Sequence, residues 1–397
     1  MNDVRCNRHF LSTPLEVIEL TPKERTLASI AHTEPDRVPV GEWQFGPEII
    51  EPVLGEENLY GCGLRTTNAY WDGRRDEIIE HWKQGLVKLT DHFQWDAVLL
   101  HMAIGKGTTV ERPEQLSGTT WRDSSGNTLT YSRETDRVFI TAKEARSASA
   151  PGASPPAPPD DEPSESELEV LRHVVRELGG SHFLFSAPLR GHPRLSYADA
   201  SVSEVENWVR LYEDPDAYRD GLLNGITSES TRLGIADVKR EGLNGVAWGC
   251  DFGCNTGPFM SPEMFRRAIL PGLGALCEQV HEEGLVLLLH SCGNNRILMD
   301  LIVEAGVDVY QSIQPEMDIC SLKRRYGKSI ALWGGVPAGD LITRTPAEVR
   351  EIARHHLEVC KPGGGYIFGT SHSVMPGAKY ENYRSMLEAH RTCGGYD

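Results

Sequence analysis

Eight short runs of nearly continuous apolar residues punctuate the chain. They are RVPVGEW (37–43), WDAVLLHM (95–102), HFLFSAP (182–188), GVAWGCD (245–251), LVLLLHSC (285–292), VDVYQSI (307–313), SIALWGGV (329–336) and GGYIFGTSH (364–372). Apolar runs of this length without polar alternation are typical of strands buried on both faces, as in a parallel sheet covered by helices. Helical text alternates with them in the second half. Ser261-Pro262-Glu263 opens one helix and Thr345-Pro346-Ala347-Glu348 another, each with a hydroxyl at the cap and proline just inside. Residues 294–305 and 317–325 also read as helix, and Glu381 and Asn382 as the capped start of the last one. Eight strands alternating with helices predict an α/β fold, a (β/α)8 TIM barrel, as a single domain over residues 1–397.

The pattern breaks over residues 103–181, between the second and third strands. WRDSSGNTLTYSRET (121–135) predicts a β-hairpin turning at Ser125-Gly126-Asn127. After it comes a stretch rich in proline, serine and acids, residues 145–168, with no apolar period. Such a stretch buries too little surface to offset its chain entropy, so it reads as a flexible insertion within the barrel. No internal repeat is present.

Composition narrows the function. An apolar content of 39% over 397 residues is that of a folded chain with a large core. A formal charge of −17 argues against nucleic acid and anionic membrane as partners, since both require cationic surface. The nine cysteines are odd in number and irregularly spaced, which predicts free thiols and not a disulfide framework. With no apolar signal core at the start and no stretch of membrane-spanning length, the expectation is a cytoplasmic protein.

Barrel chemistry sits at the C-terminal ends of the strands, so the residues that end each run are the candidates. They are Glu42, Trp43 and Gln44; His101; Arg190 and His192; Cys250, Asp251 and Cys254; His290 and Cys292; Gln311 and Gln314; and His372. Residues i and i+2 of a strand share a face, so His290 and Cys292 aim an imidazole and a thiol into one space. A buried histidine beside an inert cysteine would show the same spacing. His372 ends the eighth strand, which faces the fifth across a small mouth, so three soft ligands converge there with a position left open. Asp251 is a candidate fourth ligand. His372, Asp251 and His101 are candidate catalytic groups, and Glu42, Gln44, Arg190 and Gln311 candidate substrate contacts on the rim.

From Gly245 to Tyr396 the text resembles the uroporphyrinogen decarboxylase superfamily. The matching segments are CDFGCNTGPFMSPEMFRRAILP (250–271), LLLHSCGNN (287–295), AGVDVYQSIQPEMDICSLKRRYG (305–327), ALWGGV (331–336) and PGGGYIFGTSHSVMPGAKYENYRSM (362–386). KERTLASIAHTEPDRVPV (23–40) and WDAVLL (95–100) agree more loosely. The resemblance implies a single (β/α)8 barrel. His372 is similar to the substrate-contacting histidine of the decarboxylases proper. Their arginine-rich stretch and key aspartate are replaced here by 40–46, VGEWQFG, and by His101-Met102-Ala103. The zinc-dependent, corrinoid-linked methyltransferases of the superfamily share the His-x-Cys of His290 and Cys292, and His372 holds the place of their downstream cysteine.

The resemblance thus implies a methyltransferase or demethylase that moves a methyl group between a small methyl ether, amine or thiol and a corrinoid or its acceptor. Zinc would be the metal, and a cobalamin-type corrinoid the carrier. No corrinoid motif of the Asp-x-His-x-x-Gly type is present, so a separate corrinoid protein is the implied partner, and a homodimer is the implied assembly. The alternatives are a metal-free decarboxylase, of uroporphyrinogen type or acting on a related substrate, and a non-catalytic tetrapyrrole-binding barrel.

Overall fold

Each of the eight apolar runs is a strand in the computed structural model, which describes residues 19–61, 63–108, 110–142, 162–191 and 209–396. In chain order the strands are β1 (Gly41–Glu42), β2 (Ala97–Leu100), β3 (Glu114–Ser117), β4 (Thr120–Arg122), β5 (Thr128–Ser132), β6 (Arg137–Ala142) and β7 (Phe183–Ser186). They continue with β8 (Gly245–Gly249), β9 (Gly253–Cys254), β10 (Gly257–Pro258), β11 (Val286–His290), β12 (Val309–Gln311), β13 (Ala331–Val336) and β14 (Tyr366–Thr370). Eight of them form one sheet in the order β1-β2-β7-β8-β11-β12-β13-β14. All neighbours in it are parallel. A parallel bridge from Val40 to Phe368 brings the last strand back beside the first.

The apolar runs are continuous because both strand faces are buried. Leu99, Phe183, Phe185, Leu288, Trp333 and Ile367 pack together inside the ring. Their strand neighbours, among them Val98, Leu100, Leu184, Leu287 and Leu289, pack outward against the helices. His290 lies two residues after Leu288 on the same strand and therefore on the inner face, at its C-terminal end.

Helix starts follow the sequence cues. Ser261 caps Pro262–Ala268, and Thr345 closes a reciprocal cap with Glu348 at the start of Pro346–Cys360. The text over 294–305 divides into a short 3-10 turn, Arg296–Leu298, and a helix, Met299–Glu304. Asn382 is not a cap. It is buried in the last helix, Tyr380–Cys393, and donates to the carbonyls of Leu341 and Arg344. Among the described residues, no helix is long and apolar enough to cross a membrane.

The excursion after β2 holds more structure than its polar text announces. The expected hairpin is β4–β5, with the Asp123 carboxylate accepting from the Ser125 and Asn127 amides in the turn. Two further strands, β3 and β6, flank it to make a four-stranded antiparallel sheet. Most of the 145–168 insertion lies outside the described residues, but its last part does not fit a flexible reading. Ser164 and Glu167 form a capping box that starts the helix Glu165–Leu178. The serines and acids there are a helix start, and Leu168 begins the helix's buried face.

At the opposite, N-terminal end of the ring, Asp96 is fully buried just before β2. Its carboxylate accepts from Arg25 at 2.5 Å, from Arg37 at 2.7 and 3.0 Å, and from the Val40 amide at 2.8 Å. Arg25 also donates to Asp36. Burial would raise the Asp36 carboxyl, but this Arg25 contact outweighs it and holds the group below its ordinary range.

Candidate metal centre

Three side chains converge at the C-terminal mouth. Cys292 Sγ lies 3.3 Å from His290 Nε2 and 3.0 Å from His372 Nε2. One ligand atom from each of these residues lies within 4.8 Å of both others. They are the only such group of His, Cys, Asp and Glu among the described residues.

The surroundings explain how the group is held. The His290 ring stacks on Trp43, with centroids 4.7 Å apart and planes 22° apart. Its Nδ1 donates to Gln311 Oε1, which leaves the Nε2 lone pair directed at Cys292. The Cys292 amide donates to Asp251 Oδ1 at 2.7 Å. The next residue, Gly293, has φ +88°, and a Cβ there would come within 2.3 Å of the Gly253 carbonyl carbon, so only glycine makes this turn. The Gly293 amide donates to Gln314 Oε1 at 2.8 Å. Asn295 donates to the Ser291 hydroxyl and the Cys292 carbonyl, closing the loop around the thiol.

Burial governs the protonation of the three. It lowers the His290 pKa to about 4, helped by the nearby His372 ring and opposed by Asp251. Burial also lowers His372, again opposed by Asp251. It pushes the Cys292 thiol well above its ordinary range, with Asp251 adding to the rise. Both rings are therefore neutral donors near pH 7. The thiol keeps its proton until a cation is present, and a bound metal dication reverses that preference. A donor set of two imidazoles and one sulfur, one ring oriented by a carbonyl oxygen on its far nitrogen, fits zinc.

The centre lies in the wall of a cavity of about 1140 Å³. Glu42 lines it while 4% exposed, and its carboxyl meets the Thr370 amide at 3.0 Å and hydroxyl at 2.6 Å. Burial raises Glu42 to about 8 in spite of the Thr370 contacts. His101 faces the cavity with its side chain exposed there, and the surrounding walls and Arg137 act to lower its pKa. Gln44 and Asp251 line the cavity as well.

Two rim candidates stand elsewhere. Arg190 Nε pairs with Asp237 Oδ2 at 2.9 Å, on the helix Glu229–Arg240, and does not line the cavity. Its place after a strand fixed its position in the chain but not the direction of its side chain. Gln311 is fully buried behind His290 and is a support for that ring, not a rim contact. Cys250 is buried and Cys254 is exposed in the β9–β10 hairpin; neither belongs to the ligand group. Asp251 is likewise outside it and holds the Cys292 amide. His192 lies outside the described residues.

The excursion supplies residues that strand-end reasoning does not reach. Strand β6 runs along the cavity, which Arg137, Val138 and Phe139 line, and Arg137 donates to Gln44 Oε1. Tyr60 and Trp82, between the first and second barrel strands, form another part of the wall.

Residues 200–393 match the family model described as "Uroporphyrinogen decarboxylase (URO-D)". A methyltransferase from Methanosarcina mazei is similar in structure, with a TM-score of 0.63 at 16% identity, over 94% of this chain and 99% of that one. A. niger ochratoxinase overlaps 91% of this chain and 71% of its own at 11% identity, with a TM-score of only 0.36. Dihydropteroate synthase from Xanthomonas albilineans overlaps 35% of this chain and 52% of its own at 15% identity and a TM-score of 0.24. No curated protein matches by sequence at a significant level. The 0.63 neighbour bears on the fold, and the two weaker overlaps carry no argument. Residues 200–393 are thus similar to the uroporphyrinogen decarboxylase family, and the chain has the barrel that the sequence resemblance implied.

Proposed function

We propose that the protein is a zinc-dependent methyltransferase that moves a methyl group between a small methylated substrate, an ether, amine or thiol, and a corrinoid or its acceptor. The observation that carries this reading is the convergence of His290, Cys292 and His372 beside a large cavity. These three residues would hold the zinc. When bound, zinc supplies Lewis acidity toward the substrate heteroatom, or stabilises a thiolate. The fold shared with the Methanosarcina mazei methyltransferase over nearly the whole chain supports the reading.

The protein's own groups have definable tasks. Gln311 fixes the His290 tautomer and Trp43 fixes the plane of its ring. Asp251 positions the Cys292 loop through the backbone amide. Glu42, raised to about 8, keeps a proton inside the cavity at neutral pH. That proton is available to a heteroatom that has lost its methyl group. A separate corrinoid protein would deliver the carrier.

The second reading, a metal-free decarboxylase, is favoured by the family match. Against a polycarboxylate substrate stands the cavity lining, where Arg137 is the only Lys or Arg among the described residues. Metal content and chelation decide between the two. About one zinc per chain, with methyl transfer lost on chelation and restored by zinc, supports the methyltransferase. Carbon dioxide release by fully metal-free protein replaces it with the decarboxylase.

A further inference from the structure

Two free thiols meet in the helical layer outside the ring. Cys320 is the second residue of the helix Ile319–Tyr326, and Cys360 is the last of the helix Pro346–Cys360, which packs beside it. The two thiols are in hydrogen-bond contact. Cys320 Sγ also lies 3.8 Å from Nε2 of His355, on the second helix. The group is graded from surface to interior: His355 is exposed, Cys320 is 9% exposed and Cys360 is fully buried. Among the described residues, the ligand atoms that converge closely enough for a metal are those of His290, Cys292 and His372, so a metal does not account for this second group.

The surroundings give the two sulfurs different roles. Contact with the Cys360 thiol lowers the Cys320 pKa and the His355 ring acts in the same direction, while burial and Asp318 oppose them. Cys360 moves the other way, because it gives its hydrogen bond to Cys320 and burial adds to the rise. Lys323, buried and donating to the Gly364 carbonyl, offsets part of that rise. The outer sulfur is therefore the nucleophile and the inner one keeps its proton. Cys277 is a useful contrast: burial pushes its thiol up to about 12.

We infer that Cys320 and Cys360 form a peroxide-reactive pair, in which Cys320 is oxidised and Cys360 converts the product to a disulfide. The Cys320 thiolate attacks one oxygen of a hydroperoxide. An S–O bond forms and the O–O bond breaks, and the proton given up by Cys320 leaves with the other oxygen as water or alcohol. Cys320 is thereby oxidised to a sulfenic acid and the peroxide is reduced. Cys360 then attacks that sulfur. An S–S bond forms, the S–O bond breaks, and the hydroxyl leaves as water with the Cys360 proton. The product ties the two helices together. His290, Cys292 and His372 take no part, so the inference stands apart from the proposed function.

The test is treatment of the full-length protein with hydrogen peroxide, followed by tryptic mapping without reduction. Tryptic fragments 297–323 and 355–379 each carry one cysteine, Cys320 and Cys360, so a link between them is unambiguous. Wild type should yield that link, reversed by dithiothreitol, and should lose the Cys320 thiol at least about tenfold faster than that of Cys277. Cys360→Ser should instead leave Cys320 as a sulfenic acid that dimedone labels, and Cys320→Ser should leave Cys360 reduced. Circular dichroism of each variant confirms that the fold is kept, and the wild-type map needs neither variant. Unlinked fragments in wild type, Cys320 lost no faster than Cys277, or oxidation of Cys360 at the wild-type rate in Cys320→Ser, overturns the inference.

Discussion

Both ends of the barrel carry a buried polar cluster, and the two are built to opposite ends. At the N-terminal end, Arg25, Asp36, Arg37 and Asp96 satisfy one another and the Val40 amide, and the carboxylate of Asp96 is fully used within the protein. At the C-terminal end, Gln311, Asp251 and Gln314 hold the cluster from behind, while the ligand atoms themselves face one another at a cavity. The first arrangement closes the ring and leaves nothing to offer. The second is anchored by Gln311, Asp251 and Gln314 so that two imidazole lone pairs and a thiol remain available. Polar burial alone therefore says little about function; what separates the two clusters is whether the lone pairs end on protein.

The comparison can be broken most strongly at the N-terminal end. Asp96→Ala leaves Arg25 buried beside a missing partner and should destabilise the fold by roughly 3–5 kcal/mol. Denaturant unfolding measures this, and the zinc content of the chains that remain folded should not change. An effect below about 1 kcal/mol would mean that the network is not a structural closure.

At the other end the effect should be on metal and not on fold. His290→Ala and Cys292→Ala should each lower bound zinc well below one per chain. Unfolding of the metal-free variants should stay within about 1–2 kcal/mol of metal-free wild type. Full zinc retention in both variants would end the metal reading. A smaller effect is expected one layer back: Gln311→Ala should weaken zinc by about 10–100-fold by freeing the His290 ring, without removing a ligand. Competition with a chromogenic chelator reads this directly, and unchanged affinity would show that Gln311 does not orient the ring.

The smallest effect is a pH slope. Glu42 is raised from 4.5 to about 8 in the folded protein, so between those values the folded state holds a proton that the unfolded state has lost. Stability contributed in this way is present below about pH 4.5 and declines as pH rises through about 8. Glu42→Gln, which stays neutral, should flatten the fall in urea unfolding free energy between pH 5 and 8. An identical slope in both proteins would place the Glu42 proton elsewhere.

All eight barrel strands were legible in the sequence because each is buried on two faces and so reads as an unbroken apolar run, as LVLLLHSC does. The pairing of His290 with Cys292 was legible from strand periodicity, and the approach of His372 from strand order around the ring. Side-chain direction beyond the strand ends was not. Arg190 follows β7 as a rim residue should, yet it pairs with Asp237 on a neighbouring helix. Gln311 ends β12 but supports His290 instead of facing the cavity. Least legible was Arg137: its strand is largely exposed in spite of Val138, Phe139 and Ile140, and its place at the cavity depends on the docking of the whole excursion.

The placement of β6 has a consequence for how such a protein can change. The atoms that would hold a metal come from β11 and the end of β14, whereas Arg137 comes from a separate antiparallel sheet between two other strands. The ligand cluster and one wall of the cavity beside it are thus encoded in different stretches of the chain. A substitution among residues 135–141, which line the cavity, changes that wall without replacing any of the three ligand residues. The barrel is the bench that holds the ligand cluster, and the excursion shapes part of the space above it.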